Sequence, residues 1–346
     1  MLNSSKVTIR DVAKAAGVSP QTVSRVINNR PDVSPKTRSQ IEKIIVELGY
    51  TPNSIAQSLS SGRSKTLGVV GFGLEYFGIT SSLIGIERGA NQLGFSILLS
   101  LLDQLDEEKI ECVLSQLTAQ QVEGIIWSIP GFIDIMDMIG EITKDLTVPV
   151  VFLNTVSSDG NIVVSVDNRT GGRLATEHLF NQGYRKVGII TGPANWWEAQ
   201  ERLAGWREVM CERNVIGYED LIYEGDWEAQ SGEQGFHALY TIAPDLDAVF
   251  VCNDQMSLGA LHAANRIGLK VPKDVGIVGF DDIPEASYFS PPLTTVRQNI
   301  RELGSRAVSR LMESINAAPD EERIRTQKHL VAPELIIRQS SVRDKS

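Results

Sequence analysis

The chain has 346 residues, 42% of them hydrophobic and 22% charged, with a formal net charge of −10. That length exceeds a lone small DNA-binding module and suits two or three domains, and the composition excludes a disordered or collagen-like chain. No apolar run approaches the roughly 20 residues a membrane span needs. The opening segment MLNSSKVTIRDVA lacks the apolar core of a secretion signal, so a cytoplasmic protein without membrane association is expected.

The charge is unevenly spread. Residues 1–65 hold ten basic and four acidic side chains, hence +6, which leaves −16 on the remainder. A small basic head on an acidic body implies that only the head meets a polyanion. Cys112, Cys211 and Cys252 are odd in number and widely spaced, so they read as reduced thiols. His178, His237, His262 and His329 have no metal-ligand spacing, so no metal is expected.

The head opens with Thr8-Ile9-Arg10-Asp11, a hydroxyl cap with a carboxylate three residues on, which predicts a helix start. Val12, Ala13 and Ala16 recur at helical spacing, and Gly17 ends the helix. Ser19 caps a second helix with Pro20 at its first position, and Val23, Val26 and Ile27 form its buried side. The intervening turn is short, as a helix-turn-helix requires. A third helix opens at Ser34-Pro35 and is expected to bury Ile41, Ile44, Ile45 and Leu48. A generic three-helix scaffold would share this core. The exposed side of the second helix tells against that reading: Gln21, Thr22, Ser24, Arg25 and Asn28 are base-reading and phosphate-binding types at a helix N-terminus.

The segment TIRDVAKAAGVSPQTVSRVINNRPDVSPKTRSQIEKIIVELGYTPNSIAQSLSSGRSKTLGVV, from Thr8 to Val70, resembles the head of the lactose-repressor family of bacterial transcription regulators. The resemblance implies that Pro20, Gln21 and Arg25 read bases. Gln21 suits adenine and Arg25 guanine by bidentate geometry. It implies DNA-backbone contacts from Thr8, Ser19, Thr22, Ser24, Asn28, Ser34, Thr37, Tyr50 and Asn53. Pro20 has no side-chain donor, so its base position is read by shape or apolar contact. The implied partners are a pseudo-palindromic double-stranded operator and a second copy of the chain. The implied location is the nucleoid of a bacterial cytoplasm.

Residues 52–65 contain a short helix-compatible stretch, Pro52–Leu59, running into Ser60-Ser61-Gly62-Arg63-Ser64. Composition alone leaves a plain linker and a hinge helix both open. The resemblance implies a hinge helix in which Ala56 permits close approach and Leu59 wedges into the minor groove.

In the body, apolar runs at 66–72, 95–101, 122–129, 148–154, 162–167, 186–191, 221–226, 248–253 and 275–280 alternate with amphipathic stretches at 83–93, 107–117, 172–181, 202–213 and 256–267. This β-α alternation predicts parallel sheets flanked by helices, too many strands for one sheet and hence two doubly wound lobes. Ligands of such folds sit at strand carboxyl ends. Here those ends carry Phe72, Trp127-Ser128, Asn154, Asp167, Asn253-Asp254 and Asp281-Asp282. Asn and Asp also favour turns, but their convergence on one edge favours a ligand site.

The stretches ITGPANWWEAQERLAGW, VFVCNDQMSLGALHA and VGIVGFDDIPEASYFSPPLTTVRQ are similar to the bodies of the same family and to two-lobed, periplasmic-type sugar-binding proteins. The fold class expected is therefore α/β: an all-α head (1–51), a hinge (52–65) and a two-lobed body (66–340). The N-lobe is expected at about 66–166 and 298–325, the C-lobe at about 167–297 and 326–340. The resemblance implies effector contacts from Arg202, Asn253, Asp281 and Gln298, with Ser128, Asn154 and Trp227 nearby. Phe72, Trp127 and Trp197 join them as aromatics near strand ends, together with Tyr76, Phe77 and Trp196. Indole faces stack on pyranose rings and the polar set matches vicinal hydroxyls, so a sugar is expected over a purine or another metabolite.

The helices at 83–93 and 256–264 are expected interface elements of a homodimer. No full dinucleotide fingerprint, phosphate loop or nucleophile elbow occurs, so neither catalysis nor a cofactor is expected. A sugar-binding protein without DNA function is the main alternative, and the basic head argues against it.

Overall fold

A computed structural model describes residues 7–28, 30–51, 62–155, 161–317 and 327–343. The chain divides into two compact units, Met1–Lys65 and Thr66–Ser346. The hinge positions Asn53, Ala56 and Leu59 lie outside the described residues.

The head comprises α1 (Ile9–Ala16), α2 (Pro20–Ile27) and α3 (Pro35–Leu48). The Asp11 carboxylate accepts from the Thr8 amide at 2.9 Å and the Thr8 hydroxyl at 2.7 Å, which ties down the start of α1. Gly17 at φ 66° reverses the chain after α1. Ser19 Oγ accepts the Thr22 amide at 3.1 Å, and Pro20 occupies a position that needs no donor. Val12, Ala13, Ala16, Val23, Val26 and Ile41 form the core. The expected apolar side of α3 runs too far: Ile44 and Ile45 are half-buried, and Leu48 is exposed. A helix of 14 residues outreaches the two 8-residue helices beneath it, so its last turn lacks cover.

The body runs β1 (Thr66–Gly71), α4 (Phe77–Gln92), β2 (Ser96–Leu101), α5 (Glu107–Ala119), β3 (Ile125–Ser128), α6 (Met136–Lys144), β4 (Val150–Leu153) and β5 (Ile162–Val166). It continues with α7 (Asn168–Asn181), β6 (Val187–Thr191), α8 (Trp197–Glu212), β7 (Ile222–Glu224), α9 (Ala229–Ile242), β8 (Ala248–Val251), α10 (Asp254–Arg266) and β9 (Gly276–Asp281). Then follow β10 (Thr294–Arg297), α11 (Ile300–Asn316), β11 (Gln327–Val331) and β12 (Glu334–Ile336).

Two six-stranded sheets form, in the orders β11-β5-β4-β3-β1-β2 and β12-β10-β9-β8-β6-β7. All neighbours are parallel except the β10–β12 pair. The N-lobe therefore includes β11, which pairs with β5. The chain returns to the C-lobe only after Val331, and the expected change of lobe at residue 325/326 is corrected accordingly.

Strand alternation divides the N-lobe core in two. Leu67, Val69, Ile126, Val151 and Val164 pack on one side of the sheet. Val70, Ile125, Trp127, Phe152 and Val163 pack on the other. The C-lobe core centres on Trp206, Phe236, Phe250 and Phe280. Helices α7 and α8 cross closely: a Cβ on Gly172 would meet the Arg202 carbonyl oxygen at 2.3 Å. That crossing brings the Arg202 side chain against Asn168 at the start of α7.

Candidate functional site

On the head, Pro20, Gln21 and Arg25 lie along α2, and all three are exposed. Arg25 Nη1 lies 3.4 Å from the Asp32 carboxylate, with both side chains about half exposed. Such a surface pair is worth about 1 kcal/mol or less, so the guanidinium is available to a stronger acceptor such as a guanine edge. The hydroxyls of Ser19 and Thr22 lie 2.9 Å apart, and those of Ser34 and Thr37 lie 2.8 Å apart. Within each pair one hydroxyl donates to the other. One hydrogen per pair is left to point outward, at a helix N-terminus whose amides favour anions. Ser24 accepts from Asn28 at 3.3 Å, and Thr8 is engaged by Asp11. Tyr50 is half-buried against the head core.

In the body, the carboxyl ends of β1, β3 and β4 face those of β8 and β9 across a cleft. Arg202, from the second turn of α8, sits on its floor and is only 5% exposed. Its Nε donates to Asn168 Oδ1 at 2.8 Å, and its Nη1 donates to the Cys252 carbonyl. Nη1 also lies 3.8 Å from Asp281 Oδ1. The guanidinium stacks 3.9 Å above the Phe280 ring. Gln298 donates to the same Asp281 oxygen. Burial pushes the Asp281 carboxyl up to about 6, against the lowering effect of Arg202 and Gln298.

Asn253 caps α10 by accepting the Met256 amide at 2.8 Å, and its Nδ2 donates to the Trp227 carbonyl at 2.8 Å. Asn154 accepts the Val166 amide at 3.1 Å, and Ser128 shares a hydrogen with Ser82 at 3.1 Å. Asn154, Trp227 and Asp281 all line the cleft with left-handed backbone, at φ 44°, 76° and 114°. Such conformations cost about 1–3 kcal/mol each and persist where surrounding packing imposes them, typically at functional sites.

Tyr76, Trp196 and Trp227 form one aromatic wall, with ring centroids 5.1 Å apart for Tyr76–Trp196 and 5.5 Å for Trp196–Trp227. Trp227 lies over Gly192, where a Cβ would meet the indole at 2.0 Å. Phe132 and Trp196 also form a β-bridge between the lobes. Beside it, the Ile133 amide donates to the Asn195 carbonyl at 3.0 Å and the Trp197 amide to the Gly131 carbonyl at 2.9 Å. A guanidinium, amides and carboxyls beside indole faces form hydrogen bonds and ring contacts suited to a polar small molecule. Among the described residues no group of three His, Cys, Asp or Glu side chains is arranged to hold a metal ion.

Residues 8–53 match the family described as bacterial regulatory proteins, lacI family, and residues 176–341 match a periplasmic binding protein-like domain. The chain is 36% identical over 307 residues to the lactose operon repressor of Escherichia coli, covering 89% of this chain and 84% of that one. The chain belongs to the lacI family. As a lacI-family protein it is a DNA-binding transcriptional regulator with an effector-binding body.

This lacI-family chain is also 33% identical to the transcriptional repressor PurR of Haemophilus influenzae, over 96% of this chain and 98% of that one. A structure of the lac repressor dimer bound to operator and the anti-inducer ONPF superposes with a TM-score of 0.84 at 33% identity, covering 97% of this chain and 99% of that one. A complex of the transcriptional regulator CelR with cellobiose gives 0.69 at 30% identity, covering 96% and 99%.

In this lacI-family body Ser128, Asn154, Arg202, Trp227, Asn253, Asp281 and Gln298 line the cleft as expected. Three expected effector residues do not. Trp127 is buried in the N-lobe core against Phe152, because it points to the opposite side of β3 from Ser128. Phe72 packs edge-on to Phe132 at 5.7 Å, behind the aromatic wall. Trp197 is buried beneath Lys328, whose Nζ lies 5.2 Å from its ring, and its neighbour Trp196 reaches the cleft instead. Glu75, Glu198, Glu228 and Gln255 line the cleft unanticipated. For Glu198 the available signal was its spacing, one helical turn before Arg202.

Proposed function

We propose that this protein is a homodimeric, sugar-responsive repressor. The observation that carries the sugar reading is the cleft itself, where the Arg202–Asp281–Gln298 cluster faces the Tyr76–Trp196–Trp227 wall. Planar rings cover the C–H faces of a pyranose while the polar cluster pairs with its hydroxyls. The likeness to a regulator solved with cellobiose supports the same reading. A purine is the second reading, supported by the similarity to PurR repressors and by rings that also stack on a planar base.

On the head side, Gln21 and Arg25 read base edges, with Pro20 in apolar contact. Thr8, Ser19, Thr22, Ser24, Asn28, Ser34, Thr37, Tyr50 and Asn53 hold the backbone. Two copies meet through α4 and α10, a role supported by the exposed Ile84 and Leu258 on those helices. Ala56 and Leu59 engage the minor groove between half-sites. Effector binding favours one lobe arrangement over another, and its coupling to operator affinity is reciprocal.

The test is a tryptophan-fluorescence titration of the full chain with cellobiose, lactose and hypoxanthine, paired with an operator-retention assay. Saturable quenching by a disaccharide that also changes operator retention is the expected result. Quenching by hypoxanthine alone replaces the sugar with a purine. On the head, Arg25→Ala is expected to cost about 1–3 kcal/mol at one operator position only. An unchanged base preference removes Arg25 from the readout.

A further inference from the structure

Glu198 lies in the first turn of α8, lines the cleft and is only 8% exposed. Its Oε2 is buried without a hydrogen-bond partner. Nearby Arg202 does not supply one; its Nε and Nη1 are directed to Asn168, Cys252 and Asp281 instead. Two more orphaned polar atoms belong to cleft residues, Trp227 Nε1 and Gln255 Oε1. Buried polar atoms without partners are rare, and a cluster of them on one cleft points to a ligand that supplies hydrogen bonds.

The charge around the site restricts that ligand. Besides Glu198, three carboxyl side chains among the described residues line the cleft (Glu75, Glu228 and Asp281) against one guanidinium, Arg202, whose charge is already opposed by Asp281. The charged and titratable groups around Glu198 are Arg202 on its own helix, Asp281 at the end of β9, Glu75 and Tyr76 after β1, and Glu228 after β7, with Lys328 on β11 over the neighbouring Trp197. A wall of this sign repels anions. Burial also pushes the Glu198 carboxyl up to about 7, against the opposing pull of its own backbone amide, Arg202 and the Gly131 amide, so it holds a proton to donate on the acid side of neutral pH.

Resting on the reading of the cleft as an effector site, we propose that Glu198 is a specificity-determining residue. Its carboxyl donates a hydrogen bond to an oxygen of an uncharged effector, and the acid-lined wall rejects ligands that carry phosphate or carboxylate.

The full-length protein is titrated by tryptophan fluorescence at pH 6.5 and pH 8.5 with two matched pairs of probes. These are cellobiose against cellobiose 6-phosphate, and inosine against inosine monophosphate. The expected result is binding of one uncharged probe, with its phosphorylated partner at least about tenfold weaker and affinity falling about tenfold from pH 6.5 to pH 8.5 as the carboxyl loses its proton. Glu198→Gln keeps a donor that does not titrate. It is expected to retain affinity within about threefold at pH 6.5 and to lose the pH dependence, while Glu198→Ala weakens binding about tenfold or more. If the pattern appears with inosine, the sugar reading fails and the role of Glu198 stands. Equal binding of a phosphorylated probe, an unchanged pH profile in Glu198→Gln, or binding of neither uncharged probe overturns the proposal.

Discussion

Replacing Asp281 by Asn should stabilise the body as pH rises. The folded-state carboxyl is raised from 3.8 to about 6 by burial, with Arg202 and Gln298 offsetting only part of the effect. A carboxyl raised on folding opposes folding once the unfolded chain ionises. The cost is absent below the unfolded value, grows between 3.8 and about 6, and is complete above that. At 1.36 kcal/mol per pH unit the full cost is about 3 kcal/mol, of which about 2.5 kcal/mol develops between pH 4 and pH 8. Asn resembles the protonated acid, keeps an oxygen for Gln298 and tolerates a left-handed backbone as Asp does. Urea unfolding of both proteins at pH 4, 6 and 8, followed by circular dichroism, measures the difference. Glu198 is present in both proteins and drops out of the comparison. The stability of the Asp281→Asn variant relative to the unsubstituted protein should rise by about 2.5 kcal/mol from pH 4 to pH 8. A constant or falling difference refutes the assignment of burial as the dominant influence on Asp281.

Other perturbations test separate parts of the structure. Ser19→Ala removes the acceptor of the Thr22 amide, and calorimetry of the head transition should register a loss of about 1 kcal/mol. Gly192→Ala places a methyl group 2.0–2.4 Å from the Trp227 indole. The overpacking should cost about 1–3 kcal/mol, visible as a lowered melting temperature and a changed near-ultraviolet tryptophan signal. Arg202→Ala leaves Asp281 without its cation and should abolish the effector response measured by fluorescence, while operator retention persists. A surviving response would move the effector away from the cleft floor.

Much of the fold was legible because its local signals agree. Ser19-Pro20 and Gly17 mark the turn before α2, and most of the apolar runs that become β1 to β9 fill buried strands. The unread elements lack such signals. β10 (Thr294–Arg297) has one apolar residue in four and β12 (Glu334–Ile336) opens on a charge, so neither shows the apolar run that marks the comparably short β3, β4 and β8. The place of β11 in the N-lobe follows from a chain crossing, which no local pattern encodes. At the site, polar residues at strand ends were readable as ligand contacts because doubly wound topology gathers them on one edge. The aromatics were not. Trp127 and Ser128 are adjacent yet face opposite sides of β3, and Trp196 and Trp197 straddle the start of α8 and diverge. Only packing decides which of each pair meets the cleft. Glu198 escaped notice because an acid in a helical first turn is usually a solvated dipole partner, and its contact with the Gly131 amide comes from the other lobe.

Ligand in the cleft should change how the head holds DNA, and the whole functional reading depends on that coupling. The most direct measurement selects operator fragments with the full-length protein and then follows fluorescence anisotropy of a selected fragment with and without a saturating cleft ligand. Selected sites should be pseudo-palindromes, and ligand should shift operator affinity by about 5–150-fold, the usual range of such coupling. Sites without two-fold symmetry, or identical operator affinity at full occupancy of the cleft, would contradict the account.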